Sequence, residues 1–397
     1  MPETIQQQKR ILGNLQQKLV ERPQSLIQAK RDGKKVIGYF CPHVPEELIL
    51  AAGMIPIRLA FGGEPGAASA GEEFLKSSSC SYARSCIGYK LEGKNDYYNV
   101  IDAICVAQTC ENMIHVGEYW QSYFGVPVFT LGLTHTHTAS RSRPQALKYF
   151  KEELYLLRTR LGKFAGREIK DSDVRKAVVL CNDVREKLRA LYEYPRDYST
   201  PIEWYDVFHI IQAGFLLDKR EYLAELKAIG RQLANNPPVN AADNRIRLMI
   251  AGSHIGVNDN KLLDIVREAG GNIVVDSVCT GSMLVRKNVV IFGIMGNPMD
   301  ALAERYLYNI PCPCMTDLSK RLGRLVKLAR DYRATALIYY ILKDCDSWRA
   351  EYQLIKDFLY KEQLVPTLMI ESDYSSSDIG AIKTKVEAFL ELLGGIT

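Results

Sequence analysis

The sequence predicts an α/β protein built from two doubly wound, flavodoxin- or Rossmann-like parallel-sheet domains joined by a helical segment. Three observations carry this expectation. Short apolar runs of strand length alternate with helix-period segments at the spacing of parallel crossover units, twice on each side of the chain. The stretch between, residues 141–243, shows helical periodicity alone. At 397 residues the chain is also long enough for more than one core.

Residues 1–30 are polar and amphipathic and are read as an N-terminal helical segment. The first α/β domain, 31–140, opens with the run VIGYF. A helix follows over PEELILAAG, with Pro45 at its start, Glu46 and Glu47 in the first turn and Gly53 at its stop. A strand over IPIRLAF comes next. The pattern recurs as strand VIDAICVAQTC, helix ENMIHVGEYWQSYF and strand VPVFTLGL. The linking region 141–243 carries three helical stretches and ends in the turn-rich NNPPVNAADN. The second domain, 244–397, repeats the alternation with RIRLMIAGSHIG, KLLDIVREAGG and NIVVDSVC. It continues with ATALIYYILKDC, SWRAEYQLIKDFLYKEQ, VPTLMIESD and a closing helix GAIKTKVEAFLELL.

A net charge of +5 spread among acids does not make a nucleic-acid groove and leaves only a mild bias toward anionic partners. The opening has no apolar signal core, and no run approaches a membrane span. A cytoplasmic protein is expected. The glycines of AFGGEPG and AGSHIGVNDNK fit neither dinucleotide nor P-loop spacing, so no bound nucleotide is expected.

Ten cysteines in a cytosolic chain do not predict a disulfide scaffold. Their positions carry more than their number. Cys41, Cys110, Cys279 and Cys345 follow predicted strands at the carboxyl edge, where open parallel sheets bind ligands. Cys80 stands in a Ser-rich turn before a short helix, and Cys312 and Cys314 lie in a Pro-broken turn. Spacings of thirty residues or more exclude zinc ribbons and ferredoxin-type runs. Two readings stay open on placement alone: an iron–sulfur site gathered from distant loops, or buried structural thiols. Cys86, Cys105 and Cys181 read as core.

GYFCPHVPEELILAAGMIP, CSYARSCIGY, QTCENM, KDCDSW and VPTLMIESDYSSSDIGAIKTKVEAFLELL carry a resemblance over nearly the whole chain. The sequence resembles the 2-hydroxyacyl-CoA dehydratase / benzoyl-CoA reductase family and, within it, looks like the double-cubane cluster proteins. The resemblance implies a [4Fe-4S] cubane on Cys80, Cys110 and Cys345. It implies a second cubane on Cys41, Cys279 and one of Cys312 and Cys314, so that six of the seven bind a sulfide-bridged [8Fe-9S] cluster. The implied activity is an oxygen-sensitive iron–sulfur reductase of small molecules, a homodimer fed by a separate ATP-dependent iron–sulfur reductase. One alternative is a 2-hydroxyacyl-CoA dehydratase or benzoyl-CoA reductase subunit with one [4Fe-4S] cluster; another is a non-catalytic electron carrier. One departure stands out: Glu111-Asn112-Met113 replaces the family's Gly-Lys-Lys run, which removes positive charge there.

Proton donors remain open. His135 and His137 follow a strand and compete with an exposed linker reading. His43 and Glu46 are placed to line the cleft, with helix-end stabilisation the rival for Glu46. Tyr82 and Arg84 flank Cys80, Arg84 either offsetting cluster charge or pairing with a surface acid. Glu371 and Asp373 lie at a further strand end or cap the closing helix.

Overall fold

The apolar runs become eight strands in two sheets of one design. The first sheet holds β1 (Val36–Tyr39), β2 (Ile55–Arg58), β3 (Ala103–Ala107) and β4 (Val128–Leu131). The second holds β5 (Arg247–Gly252), β6 (Asn272–Ser277), β7 (Ala336–Leu342) and β8 (Thr367–Ser372). Strand order is β2-β1-β3-β4 and β6-β5-β7-β8, and every pairing is parallel. This computed structural model describes residues 3–135, 142–235, 243–293, 295–315, 318–362 and 365–394.

Burial explains why the central strands read as unbroken apolar runs. Side chains alternate across a strand, so a sheet covered on both faces needs apolar residues at every position. In the first sheet Val36, Ile104 and Val106 enter one core, while Ile37, Tyr39, Ala103 and Cys105 enter another. In the second sheet Leu248 and Ile250 join the same core as Val36, while Met249 and Ala251 face a third. One apolar body thus runs between the sheets. Winding reverses between β1 and β3, and again between β5 and β7, which opens a crevice at the carboxyl edge of each sheet.

The helical region does more than connect. Helices Arg143–Ala165 and Asp171–Glu193 place Phe150, Leu154, Leu157, Val174 and Val178 against the outer face of the first sheet. Helix Pro298–Tyr308 follows β6 in the chain, yet its Leu302 and Tyr306 enter that same core. A buried polar knot joins these pieces. Arg185 donates to Glu47 at 2.5 Å and to the Tyr306 hydroxyl at 3.1 Å, and Tyr306 donates to Glu47 at 2.6 Å. Burial alone would raise the Glu47 carboxyl, but Arg185, Arg305 and the Tyr306 hydroxyl hold it below its ordinary value.

The two sheets also touch directly at the glycine loops. Phe61 and Val257 form an isolated parallel bridge, closed by Gly62 N–H to Val257 O at 3.0 Å and Val257 N–H to Ala60 O at 2.7 Å. A side chain at Gly256 would meet the Gly62 nitrogen at 2.5 Å; Gly63, at φ +77°, would meet the Asn258 carbonyl at 2.5 Å. These glycines permit backbone contact between the halves. Among the described residues no helix is long and apolar enough to cross a membrane.

Candidate functional site

Where the carboxyl edges of the sheets face one another they enclose a cavity of about 500 Å³. Cys41, Cys80, Cys110, Cys279, Cys312, Cys314 and Cys345 all line it. Each arrives by a short step from an element end. Cys41 follows β1 and Cys279 follows β6. Cys80, Cys110 and Cys345 stand immediately before helices Ser81–Glu92, Glu111–Ser122 and Asp346–Lys361. The partial positive charge of a helix start favours a thiolate there. Cys312 and Cys314 follow helix Pro298–Tyr308, which Pro311 and Pro313 prevent from continuing.

All ten cysteines are free thiols. The seven in the cavity are partly exposed, whereas Cys86 and Cys105 are buried in the apolar cores and Cys181 is buried near Glu47 and Arg185. The cavity thiols also contact one another. Cys345 hydrogen-bonds Cys80, which favours the Cys80 thiolate; burial opposes this, and the amides of Ala83 and Tyr82 and the Arg84 charge assist it. The Cys345 thiol is raised in return. Cys110 and Cys314 make a second contact, and the Cys314 sulfur lies 3.4 Å from Ser347 Oγ. Cys41 lies 3.2 Å from Thr109 Oγ1, and burial pushes its thiol far up. Among the described residues, no three His, Cys, Asp or Glu side chains converge on one point as ligands of a single metal ion. A cubane does not need that convergence, because each of its thiolates takes a different iron. The donor set, soft sulfur from several loops around an enclosed space, fits a multinuclear cluster better than a lone ion.

The proposed proton carriers fall into different places. His43 lines the cavity, fully buried, with Nδ1 3.0 Å from Tyr306 O and no partner for Nε2; burial pushes its pKa down to about 4. It is neutral near pH 7. His135 sits at the rim, with Nε2 3.2 Å from Gln108 O. His137 lies outside the described residues. Glu46 does not line the cavity: it accepts from the Tyr39 hydroxyl at 3.1 Å and pairs with Lys219 at 2.9 Å, on the helical side of β1. A first-turn acid is turned sideways here because a buried lysine from a distant helix needs its charge.

Tyr82 reaches the cavity and donates to Leu59 O at 2.9 Å, whereas Arg84 pairs with Glu72 and donates to Ser79 O at 3.0 Å. Arg84 therefore holds the turn before its helix. Glu371 pairs with Arg349, and Asp373 accepts from Ser375 N–H at 2.7 Å, so both serve local structure. Glu111, Asn112 and Met113 do line the cavity and bring no positive charge to it.

Two further residues complete the wall. Arg58, at the end of β2, is 1% exposed and pairs with no carboxylate among the described residues. It donates to Phe40 O at 3.0 Å and Cys279 O at 2.9 Å, and its Nη2 lies 3.8 Å from the Cys279 sulfur. An arginine inside an otherwise apolar strand was a signal in plain view. His254 follows β5 and stacks on Tyr82 with centroids 3.9 Å apart; burial first and Arg58 next push its pKa down to about 3, against the pull of the Phe61 and Ala60 backbone. Its loop attracts notice for glycines, which concealed the histidine.

Two α/β sheets that pool thiols at their facing carboxyl edges define a protein class that assembles one cysteine-rich site from both halves of its chain. The particular family follows from comparison: residues 41–393 match the model described as 2-hydroxyglutaryl-CoA dehydratase, D-component, and the chain belongs to that family. It is 27% identical over 371 residues to the putative dehydratase subunit YjiM of Escherichia coli (strain K12), covering 93% of this chain and 94% of that one. It is 25% identical to the lactoyl-CoA dehydratase subunit beta of Anaerotignum propionicum, covering 91% and 92%. With a benzoyl-CoA reductase subunit of Thauera aromatica it shares 24% identity, covering 90% of each. Membership supports a dehydratase or reductase subunit. Neither the family match nor these relatives single out the double-cubane branch.

Proposed function

We propose that this chain is the iron–sulfur subunit of a 2-hydroxyacyl-CoA dehydratase or aryl-CoA reductase, with one [4Fe-4S] cluster held by Cys80, Cys110 and Cys345. The observation that carries the reading is the single cavity into which both sheets deliver partly exposed thiols. Relatives named for lactoyl-CoA dehydratase and benzoyl-CoA reductase supply the substrate class, an acyl or aryl thioester of CoA. Such a cluster, when bound, supplies single electrons at low potential.

The chain's own residues have defined parts around it. Cys80, Cys110 and Cys345 present sulfur at three helix starts, whose backbone N–H groups stabilise negative charge. Arg58 brings a buried fixed cation beside Cys279, where it partly offsets the burial that raises that thiol. His43 and His254 are neutral; His43 donates through Nδ1 to Tyr306 O, so its unpartnered Nε2 is left as an acceptor for a substrate O–H or N–H. On this reading an ATP-dependent iron–sulfur reductase provides electrons and a sister chain completes the enzyme.

A second reading has its own observation. Cys41, Cys279 and Cys314 line the same cavity and are not used by one cubane. They would hold the second cubane of an [8Fe-9S] cluster in a homodimeric reductase of small molecules. Cys314 is the preferred member of its pair because it contacts Cys110, whereas Cys312 also borders a different cavity. Iron and acid-labile sulfide per chain, measured on anaerobically purified protein with EPR of the reduced form, decide between them. About four irons support the single cubane and about eight the bridged pair. No iron would overturn both.

A further inference from the structure

Behind Ile310 and Cys312, which border both spaces, lies a second cavity of about 560 Å³. Eight cationic side chains line it, against two acids, Glu193 and Asp331. Four of these cations have ion-pair or hydrogen-bond partners, although Nε of Arg196 and of Arg321 is itself buried without one. Arg196 pairs with Glu193 and Asp331, Lys327 with Asp331 at 2.9 Å, and Arg321 with Glu351. Arg189 donates to Val285 O at 2.7 Å and Asn288 Oδ1 at 2.8 Å.

Arg286 and Arg324 are different. Arg286 has no hydrogen bond or ion pair among the described residues, and its Nε is buried. Arg324 has one contact, Nη2 to Ser282 Oγ at 3.3 Å, and its Nε is also buried without a partner. The carboxylate facing Arg324 is Asp276, already occupied by the Tyr192 hydroxyl, Trp204 Nε1 at 3.0 Å, Ser282 N–H at 2.7 Å and Val278 N–H at 3.2 Å. Burial first, and Arg286 next, push Arg324 down to about 9. Two guanidiniums that disfavour each other, make no ion pair among the described residues and share only the hydrogen-bonded Asp276 beside Arg324 leave unmet demand for an anion.

We infer that this cavity binds a phosphoryl anion of diphosphate size, clamped between Arg286 and Arg324. Guanidinium forks match phosphate oxygens two bonds at a time, and the space exceeds what one orthophosphate fills. The anion is either free or the charged end of a larger molecule. The inference does not depend on what the thiols hold.

The test is calorimetric titration of the full-length protein, as purified, with inorganic pyrophosphate and separately with orthophosphate. Saturable 1:1 pyrophosphate binding is expected, weakened about tenfold or more in Arg286→Gln and in Arg324→Gln and largely kept in Arg286→Lys. Arg286 makes no bond that holds the fold, so Arg286→Gln should unfold at the wild-type temperature. Absence of saturable binding, or unchanged affinity in Arg286→Gln, would overturn the proposal. Displacement of pyrophosphate by ADP and by desulfo-coenzyme A separates the sources. Displacement by ADP assigns a free nucleotide; displacement by desulfo-coenzyme A alone assigns the phosphates of a thioester carrier; displacement by neither confines the site to small anions.

Discussion

Replacing Arg185 by Met tests whether the buried knot holds the architecture behind the thiols. Glu47 is fully buried and would keep the Tyr306 hydroxyl, at 2.6 Å, as its hydrogen-bond partner, with the Arg305 charge nearby but no direct ion pair. Removing one partner of a buried ion pair leaves a charge without compensation, at a cost of about 3–5 kcal/mol. The pH dependence follows. In the native protein the Glu47 carboxyl is held below its unfolded value, so its contribution is present above about 4.3 and is lost as pH falls through the lower folded value. In the variant only Arg305 and the Tyr306 hydroxyl oppose burial, so the carboxyl rises from its native value. The deficit relative to the native protein then grows as pH rises, and is greater at pH 7 than at pH 5. Urea unfolding followed by fluorescence of the buried Trp120 and Trp204 reads the difference, provided the slope is unchanged. The double variant Glu47→Leu/Arg185→Met should recover most of it. A deficit under about 1 kcal/mol at pH 7, or a larger one at pH 5, would refute the argument.

Three further outcomes are expected. Cys41→Ser should leave iron content unchanged if a single cubane is bound and lower it by about four atoms if the bridged pair is present, as read by iron assay. Gly63→Ala should destabilise by at least about 1–2 kcal/mol from its left-handed backbone alone, with the Asn258 carbonyl adding to this; an unchanged melting temperature would dismiss the contact between the sheets. Burial raises the Asp259 carboxyl to about 7, against the pull of Lys261. Native stability should therefore decline between about pH 4 and pH 7. Asp259→Asn should flatten that decline, and an identical urea-midpoint profile in both proteins would show that Asp259 does not cause it.

The strands were readable because a parallel sheet covered on both faces needs apolar residues at every position, and VIGYF or ALIYYIL cannot be mistaken for a half-exposed strand. Cys41, Cys110, Cys279 and Cys345 were readable because they follow those runs. Glu46 was not: an acid in a first turn has the same local pattern whether it faces a cleft, stabilises the helix or pairs with Lys219, far along the chain. Helix Trp204–Ala213 escaped the periodicity reading because eight of its ten residues are buried, polar Asp206 and Gln212 among them, so polar positions do not mark an exposed face. The basic cavity was also hidden, since Arg286 and Arg324 come from separate segments and only the fold brings them together. Charge scattered along a sequence does not reveal where folding concentrates it.

Because the thiols are drawn from both ends of the chain, their order of emergence during synthesis matters. Cys41, Cys80 and Cys110 leave the ribosome early, whereas Cys345 follows β7, close to the end of translation. On the proposed ligand set, iron reaching the nascent chain would find an unfinished pocket with no wall from the second sheet. On that ligand set maturation belongs to the completed polypeptide, and a product truncated before β7 should be isolated without iron.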